Sequence, residues 1–248
     1  MESEGTAATA SSGGWFPRTR WSVVVAARES PTAERSAALA EWCRIYWKPV
    51  YLFIRSRGAG PDLAEDLTQD FFLRVVRGDL LQSVDGPDRG RLRSFLCTVL
   101  KRFLTDEYRR SSAKKRGSEY HMVAIDSAAV EPLVAAAASA GTQPELVFDR
   151  QWAIDLLEES MRRLQGDYER AGKAALFERL KPTIRPEAGG VDRKELAAEL
   201  GMTEGALKVA VHRLRQRYRE CLMNSLRDTL DEGQDPGEEL RYLLSLFS

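Results

Sequence analysis

Residues 193–219 read RKELAAELGMTEGALKVAVHRLRQRYR. Leu196, Leu200, Leu207, Ala210 and Leu214 recur at helical spacing on either side of Gly201, so two helices meet at a turn. Ala197 is small enough to let them approach, and Gly201 can take the left-handed turn conformation. Asp192 and Thr203 stand where a side-chain oxygen caps a helix start, which predicts helices over 193–200 and from 204 to about 222. On a wheel of about 100° per residue, Leu207, Ala210, Val211, Leu214 and Tyr218 fall inward. Gly205, Val209, His212, Arg213, Gln216 and Arg219 fall outward, flanked by Lys208 and Arg215. A recognition helix needs such a basic outer face, because its early residues reach base edges while Arg and Lys neutralise phosphates. A solvated hairpin in an ordinary bundle would share the basic face. Cap, small residue, turn glycine and cations together favour DNA binding.

The same helical period governs the rest of the chain. Leu39, Trp42, Cys43, Tyr46, Val50, Phe53 and Ile54 form one stripe between about Ala33 and Arg57, with a kink expected at Pro49. Pro61 opens a helix through Leu63, Ala64, Leu67, Phe71, Leu73, Val75 and Val76, and its leading acids suit the helix dipole. Leu92, Phe95, Leu96, Val99, Leu100, Phe103, Leu104 and Tyr108 mark a third. A further block runs from near Pro144 through Phe148, Trp152, Leu156, Leu164 and Tyr168 to Phe177 and Leu180, and a last short helix carries Leu240, Leu243, Leu244 and Phe247. No segment alternates with period two, so the expected class is all-α: two small helical domains joined by a flexible linker. The divisions fall at 1–14, a disordered tail; 15–117, the first domain; 118–144, an Ala-rich linker; 145–230, the helix-turn-helix domain; and 231–248, a C-terminal extension.

Formal charge over the 248 residues is zero, 37 basic against 37 acidic, yet it is unevenly spread. Residues 15–117 hold 20 Lys and Arg against 12 Asp and Glu, while residues 231–248 hold one against five. Local basic charge points to a polyanion touching particular elements. Three scattered cysteines and two histidines argue against a disulfide framework or a Cys/His metal site. The small-residue start, without an apolar core, and the lack of a long apolar run predict a cytoplasmic protein with no membrane insertion.

Two further segments carry chemistry. In residues 91–116, Phe95, Phe103 and Tyr108 interleave with Arg91, Arg93, Lys101, Arg102, Arg109, Arg110, Lys114, Lys115 and Arg116. The cations are expected to form a nucleic-acid surface and the rings, at core spacing, to be mainly interior. In PDLAEDLTQDFF, residues 61–72, Asp62, Asp66 and Asp70 stack one turn apart beside Glu65 and Gln69. Such a row would hold Mg²⁺, bind a basic partner or simply face solvent. Catalysis would need a second carboxylate cluster or a phosphate-gripping glycine loop, and neither is in the sequence. The expectation is a protein that is not an enzyme, with no metal and no cofactor.

In this order, the acidic helix, basic aromatic helix and helix-turn-helix resemble bacterial RNA polymerase sigma factors of the two-domain extracytoplasmic-function group, over most of residues 35–117 and 145–225. The resemblance implies that AEDLTQDFFLRV docks on the clamp of the polymerase largest subunit, with Asp66, Gln69, Asp70 and Phe71 in contact. It implies that FLCTVLKRFLTDEYRR opens and holds the minus-ten promoter element, placing Lys101, Arg102, Arg109 and Arg110 at DNA. The loop Gly78 to Gly90 would capture an extruded base. EGALKVAVHRLRQR resembles the minus-thirty-five reader, which assigns DNA contact to Thr203, Glu204, Gly205, Lys208, Val209, His212, Arg213 and Arg215. Implied partners are core RNA polymerase, through its clamp and flap, promoter DNA, and an anti-sigma protein as a further candidate.

Departures are Arg102, where the family often has Asn, a longer connector from about Lys181 to Val191, and the extra stretches Trp15–Ala27 and Arg241–Phe247, which are candidates for regulation. Two other readings compete. A dimeric helix-turn-helix regulator acting without polymerase would bind a palindromic duplex tightly by itself. A metal-dependent nucleic-acid enzyme built on Asp62, Asp66 and Asp70 would need Mg²⁺ for turnover.

Overall fold

A computed structural model describes residues 33–77, 91–113, 130–134, 142–184, 192–230 and 233–247. Among them every regular element is helical: α1 (Ala33–Ser56), α2 (Pro61–Arg77), α3 (Leu92–Ala113), α4 (Pro144–Arg170), α5 (Ala174–Leu180), a 3₁₀ turn (Lys181–Thr183), α6 (Arg193–Glu199), α7 (Glu204–Arg227) and α8 (Pro236–Ser245). The fold is all-α, as the periodicity predicts.

Helix α1 is the centre of the larger core, and it runs on through Pro49. Trp42, Tyr46, Val50, Phe53 and Ile54 are buried, as their stripe predicts, but so are Ile45, Tyr51 and Leu52. The consecutive buried residues Val50 to Ile54 need cover on all sides. Both α2 and α4 pack against it. Phe72 meets Trp42 edge-on at 5.5 Å, and Phe71 meets Phe103 of α3 at 5.6 Å, geometries that favour the ring quadrupoles.

The Ala-rich stretch also touches this core. Val130 is buried, and residues 131–134 are helical. Glu131 accepts from Tyr51 Oη at 2.5 Å and from Arg55 Nε and Nη2 at 2.8 and 2.7 Å. The hydrogen-bonded Arg55 guanidinium holds the Glu131 carboxyl down at about 2.

Helix α4 has 27 residues and so spans about 40 Å. Its first half places Val147, Phe148, Trp152, Ala153 and Leu156 in the larger core, and its second places Leu164 and Tyr168 in a smaller one with Phe177, Leu180, Leu196, Ala197, Leu207 and Leu214. Helix α7 likewise serves both, through Leu207 and Leu214 in the smaller core and Leu222 and Leu226 in the larger. The sequence reads as continuous helix from Pro144 to Leu180, whereas the structure breaks it at Gly172, which sits at φ +68°. After α7, the Thr229 carbonyl accepts from the Leu92 N–H that opens α3.

Helix α8 begins at Pro236, capped by Asp235, whose carboxylate accepts from the Gly237 N–H at 2.8 Å. Leu243 and Leu246 enter the larger core, while Leu244 and Phe247 face outward, so only part of the expected apolar stripe turns inward.

Candidate nucleic-acid interface

The helix-turn-helix forms as its local signals predict. Asp192 accepts from the N–H groups of Lys194 and Glu195, and Thr203 Oγ1 from that of Ala206 at 3.2 Å. Gly201 lies at φ +62°. Met202 N–H reaches back to the Ala197 carbonyl and Gly201 N–H to that of Ala198, which closes α6 with a Schellman turn. Leu196, Ala197, Leu207 and Leu214 lock the joint from beneath. Thr203, Glu204, Gly205, Lys208, Val209, His212, Arg213 and Arg215 are therefore all exposed on or before the leading half of α7. Arg215 also donates through Nε and Nη2 to the Thr183 carbonyl at 3.1 and 2.6 Å, pinning the start of the connector to α7.

On α3, Lys101, Arg102, Arg109 and Arg110 are exposed. Lys101 Nζ lies 2.6 Å from Glu145 Oε1 in the first turn of α4, and Arg110 Nη1 lies 2.6 Å from Glu107 Oε1. The rings divide. Phe103 is buried and Phe95 half-buried, as core spacing predicts, but Tyr108 is 75% exposed. Nothing in a helical period separates a ring that is buried against a neighbouring helix from one that is mostly exposed.

Arg91 and Arg93 correct the expectation that the whole basic run faces nucleic acid. Arg93 is buried between two carboxylates: Nη1 lies 2.8 Å from Asp149 Oδ2, and Nε lies 2.6 Å from Glu239 Oε1. Arg91 Nε reaches Glu239 Oε2 at 2.7 Å. Both acids lie far along the chain, so no local pattern could reveal the pairing.

Helix α2 buries Ala64, Thr68, Phe71 and Val75 and turns its acids away from them. Asp62 and Asp66 are exposed, and Gln69 and Asp70 are half-buried. Asp70 accepts from Arg74 Nε and Nη2 at 3.1 and 2.6 Å, and Arg74 Nη2 also reaches Glu107 Oε1 at 2.6 Å. Phe71 lies wholly inside the core and offers a partner no surface here. Leu63, assigned to the inner stripe by spacing, is instead 54% exposed one turn before Asp66. Among the described residues no three His, Cys, Asp or Glu are grouped so as to hold a metal ion. Burial pushes the Cys43 and Cys97 thiols up to about 11 and about 12, which keeps both protonated at neutral pH.

The acidic face, the basic helix and the helix-turn-helix all fall within residues 61–224, the span that matches the family described as ECF sigma factor. The chain belongs to the ECF sigma factor family. It is also 28% identical over 145 residues to the ferric citrate uptake sigma factor FecI of Escherichia coli (strain K12), covering 58% of this chain and 68% of that one. No solved structure matches. As an ECF sigma factor, the protein has a role in transcription initiation and binds DNA, and the family is not an enzyme class. Helix α8 lies outside the matched span. Among the described residues no helix is long and apolar enough to cross a membrane. The expected base-capture loop Gly78–Gly90, the stretch Trp15–Ala27 and the cations Lys114, Lys115 and Arg116 lie outside the described residues.

Proposed function

We propose that this ECF sigma factor docks on core RNA polymerase through α2, and that the assembled enzyme reads promoters with α3 and α7. In this reading residues 15–117 bind polymerase and hold the melted upstream element, residues 118–144 connect, and residues 145–230 read the duplex further upstream. The observation that carries it is the division of α2 into two faces. Ala64, Thr68, Phe71 and Val75 anchor the helix inside the molecule, and exposed Asp66 with half-buried Gln69 and Asp70 lies on the other side, near exposed Leu63. An apolar side chain rimmed by acids suits a partner surface that pairs a hydrophobic spot with cations.

The exposed Tyr108 ring and the cations Arg109 and Arg110 on α3 suit an unpaired strand, which takes stacking and phosphate neutralisation together. The basic face of α7 suits duplex. The test is capture of purified core polymerase by immobilised protein. Asp66→Arg should weaken capture at least about tenfold, with the unfolding midpoint unchanged because Asp66 is exposed. Undiminished capture contradicts the proposal. So would tight binding of a palindromic duplex by the protein without core, which is what a dimeric regulator would do.

A further inference from the structure

Cations at and near the start of α3 meet acids from later in the chain. Arg91, Arg93 and Lys101 meet Glu239, Asp149 with Glu239, and Glu145, respectively. The Tyr242 ring lies 4.2 Å from the Arg93 guanidinium carbon, and its hydroxyl donates to Asp149 Oδ2 at 2.5 Å. Arg150 Nε donates to the Leu246 carbonyl at 3.0 Å and ties down the end of α8.

We propose that α8 is a detachable strap, an acidic in-chain competitor with single-stranded nucleic acid for Arg91 and Arg93 at the start of α3, whose release adds these two cations to the surface that Lys101, Arg102, Arg109 and Arg110 already expose. The inference rests on the reading of α3 as a DNA-contacting helix.

Three features support it. The attachment is short: Leu243 and Leu246 are buried, Leu240 and Tyr242 pack half-buried against the same core, and Glu239 is the buried charged anchor. A helix of ten residues is too short to persist alone in water, so α8 is helical only while docked. The third feature is the sharing of Arg93. A buried guanidinium held by two carboxylates loses half its compensation when one departs. Departure of Glu239 would therefore admit water to Arg93 and Asp149 and loosen the contact of α4 with α3, including the Glu145–Lys101 pair. Strap release and exposure of Arg91 and Arg93 are thus one linked equilibrium. The extension carries five acids against one cation and lies outside the family match, as a control element added to a shared machine would.

The test measures affinity of the free protein for a fluorescent oligo-dT strand at low salt. It compares the full chain, a chain ending at Leu230, and Glu239→Gln, which keeps every apolar anchor. The truncated chain should bind about tenfold tighter and Glu239→Gln about threefold tighter, from recovered phosphate contacts. A peptide of residues 231–248 added in trans should return the truncated chain to weak binding. Equal affinity of all three, or weaker binding after truncation, overturns the proposal. Should the truncated chain fail to fold by circular dichroism, Glu239→Gln decides alone, and affinity equal to the full chain overturns the strap. Run-off transcription with core polymerase separates the two claims. If the full chain initiates RNA but no variant gains affinity, the strap fails and the sigma reading stands. If no chain initiates but the variants gain affinity, the sigma reading fails and the strap stands.

Discussion

Asp155 sits where helix α4 faces α1, with Lys48 Nζ 3.8 Å from its Oδ1 and Gln151 Nε2 donating to the same oxygen at 2.9 Å. Its Oδ2 has no hydrogen-bond donor among the described residues. Burial pushes the carboxyl up to about 6 from an ordinary 3.8, with Gln151 and Lys48 pulling the other way. A carboxyl raised by folding penalises the folded state once it ionises. The penalty is absent below the ordinary value and complete above the raised one. Asp155→Asn should therefore stabilise the protein at pH 7 by about 1 kcal/mol, and most of the advantage should be lost as pH falls to 4. Urea unfolding at both pH values checks this. No gain at pH 7, or a gain that grows on acidification, contradicts it. The same residue shows where sequence reading stops. Asp155 and Lys48 are far apart in the chain, and their meeting depends on how α4 lies on α1.

At the scale of the element, the helix-turn-helix was the most legible part, because each decision in it is local. Asp192 and Thr203 cap helices within three residues, Gly201 turns the chain, and the period of α7 sorts Leu207 and Leu214 from Lys208 and Arg213. A Cβ at Gly201 would meet nothing within 4 Å, so the cost of Gly201→Ala is that of the backbone at φ +62° alone. The variant should lose about 1 kcal/mol of stability, read as a lower unfolding midpoint. An unchanged midpoint would mean that the turn does not need the left-handed residue. Periodicity does less well wherever a neighbour decides the outcome. It assigns Leu63 to the core, Tyr108 to the interior and Arg93 to the nucleic-acid face. All three are misplaced because the period names a face of a helix without saying what covers it. Gly172 escapes a periodic reading because RAGK looks like the last turn of a helix that simply continues.

For the whole molecule, the order of acidic helix, basic helix and helix-turn-helix was enough to place the chain in its family. What could not be read was long-range packing. Consecutive buried residues from Val50 to Ile54 have no polar face because α4 covers what a single stripe leaves open. Helices α4 and α7 each lend side chains to both cores, and α8 closes on α3 through charges separated by more than half the chain. The proposed function is exercised inside core polymerase, so the central claim is best tested there. In run-off transcription with purified core polymerase and a library of genomic fragments, discrete transcripts should appear only when this chain is added, and Asp66→Arg should abolish most of them. Absence of initiated RNA on every fragment, with active core and folded protein, would contradict the account.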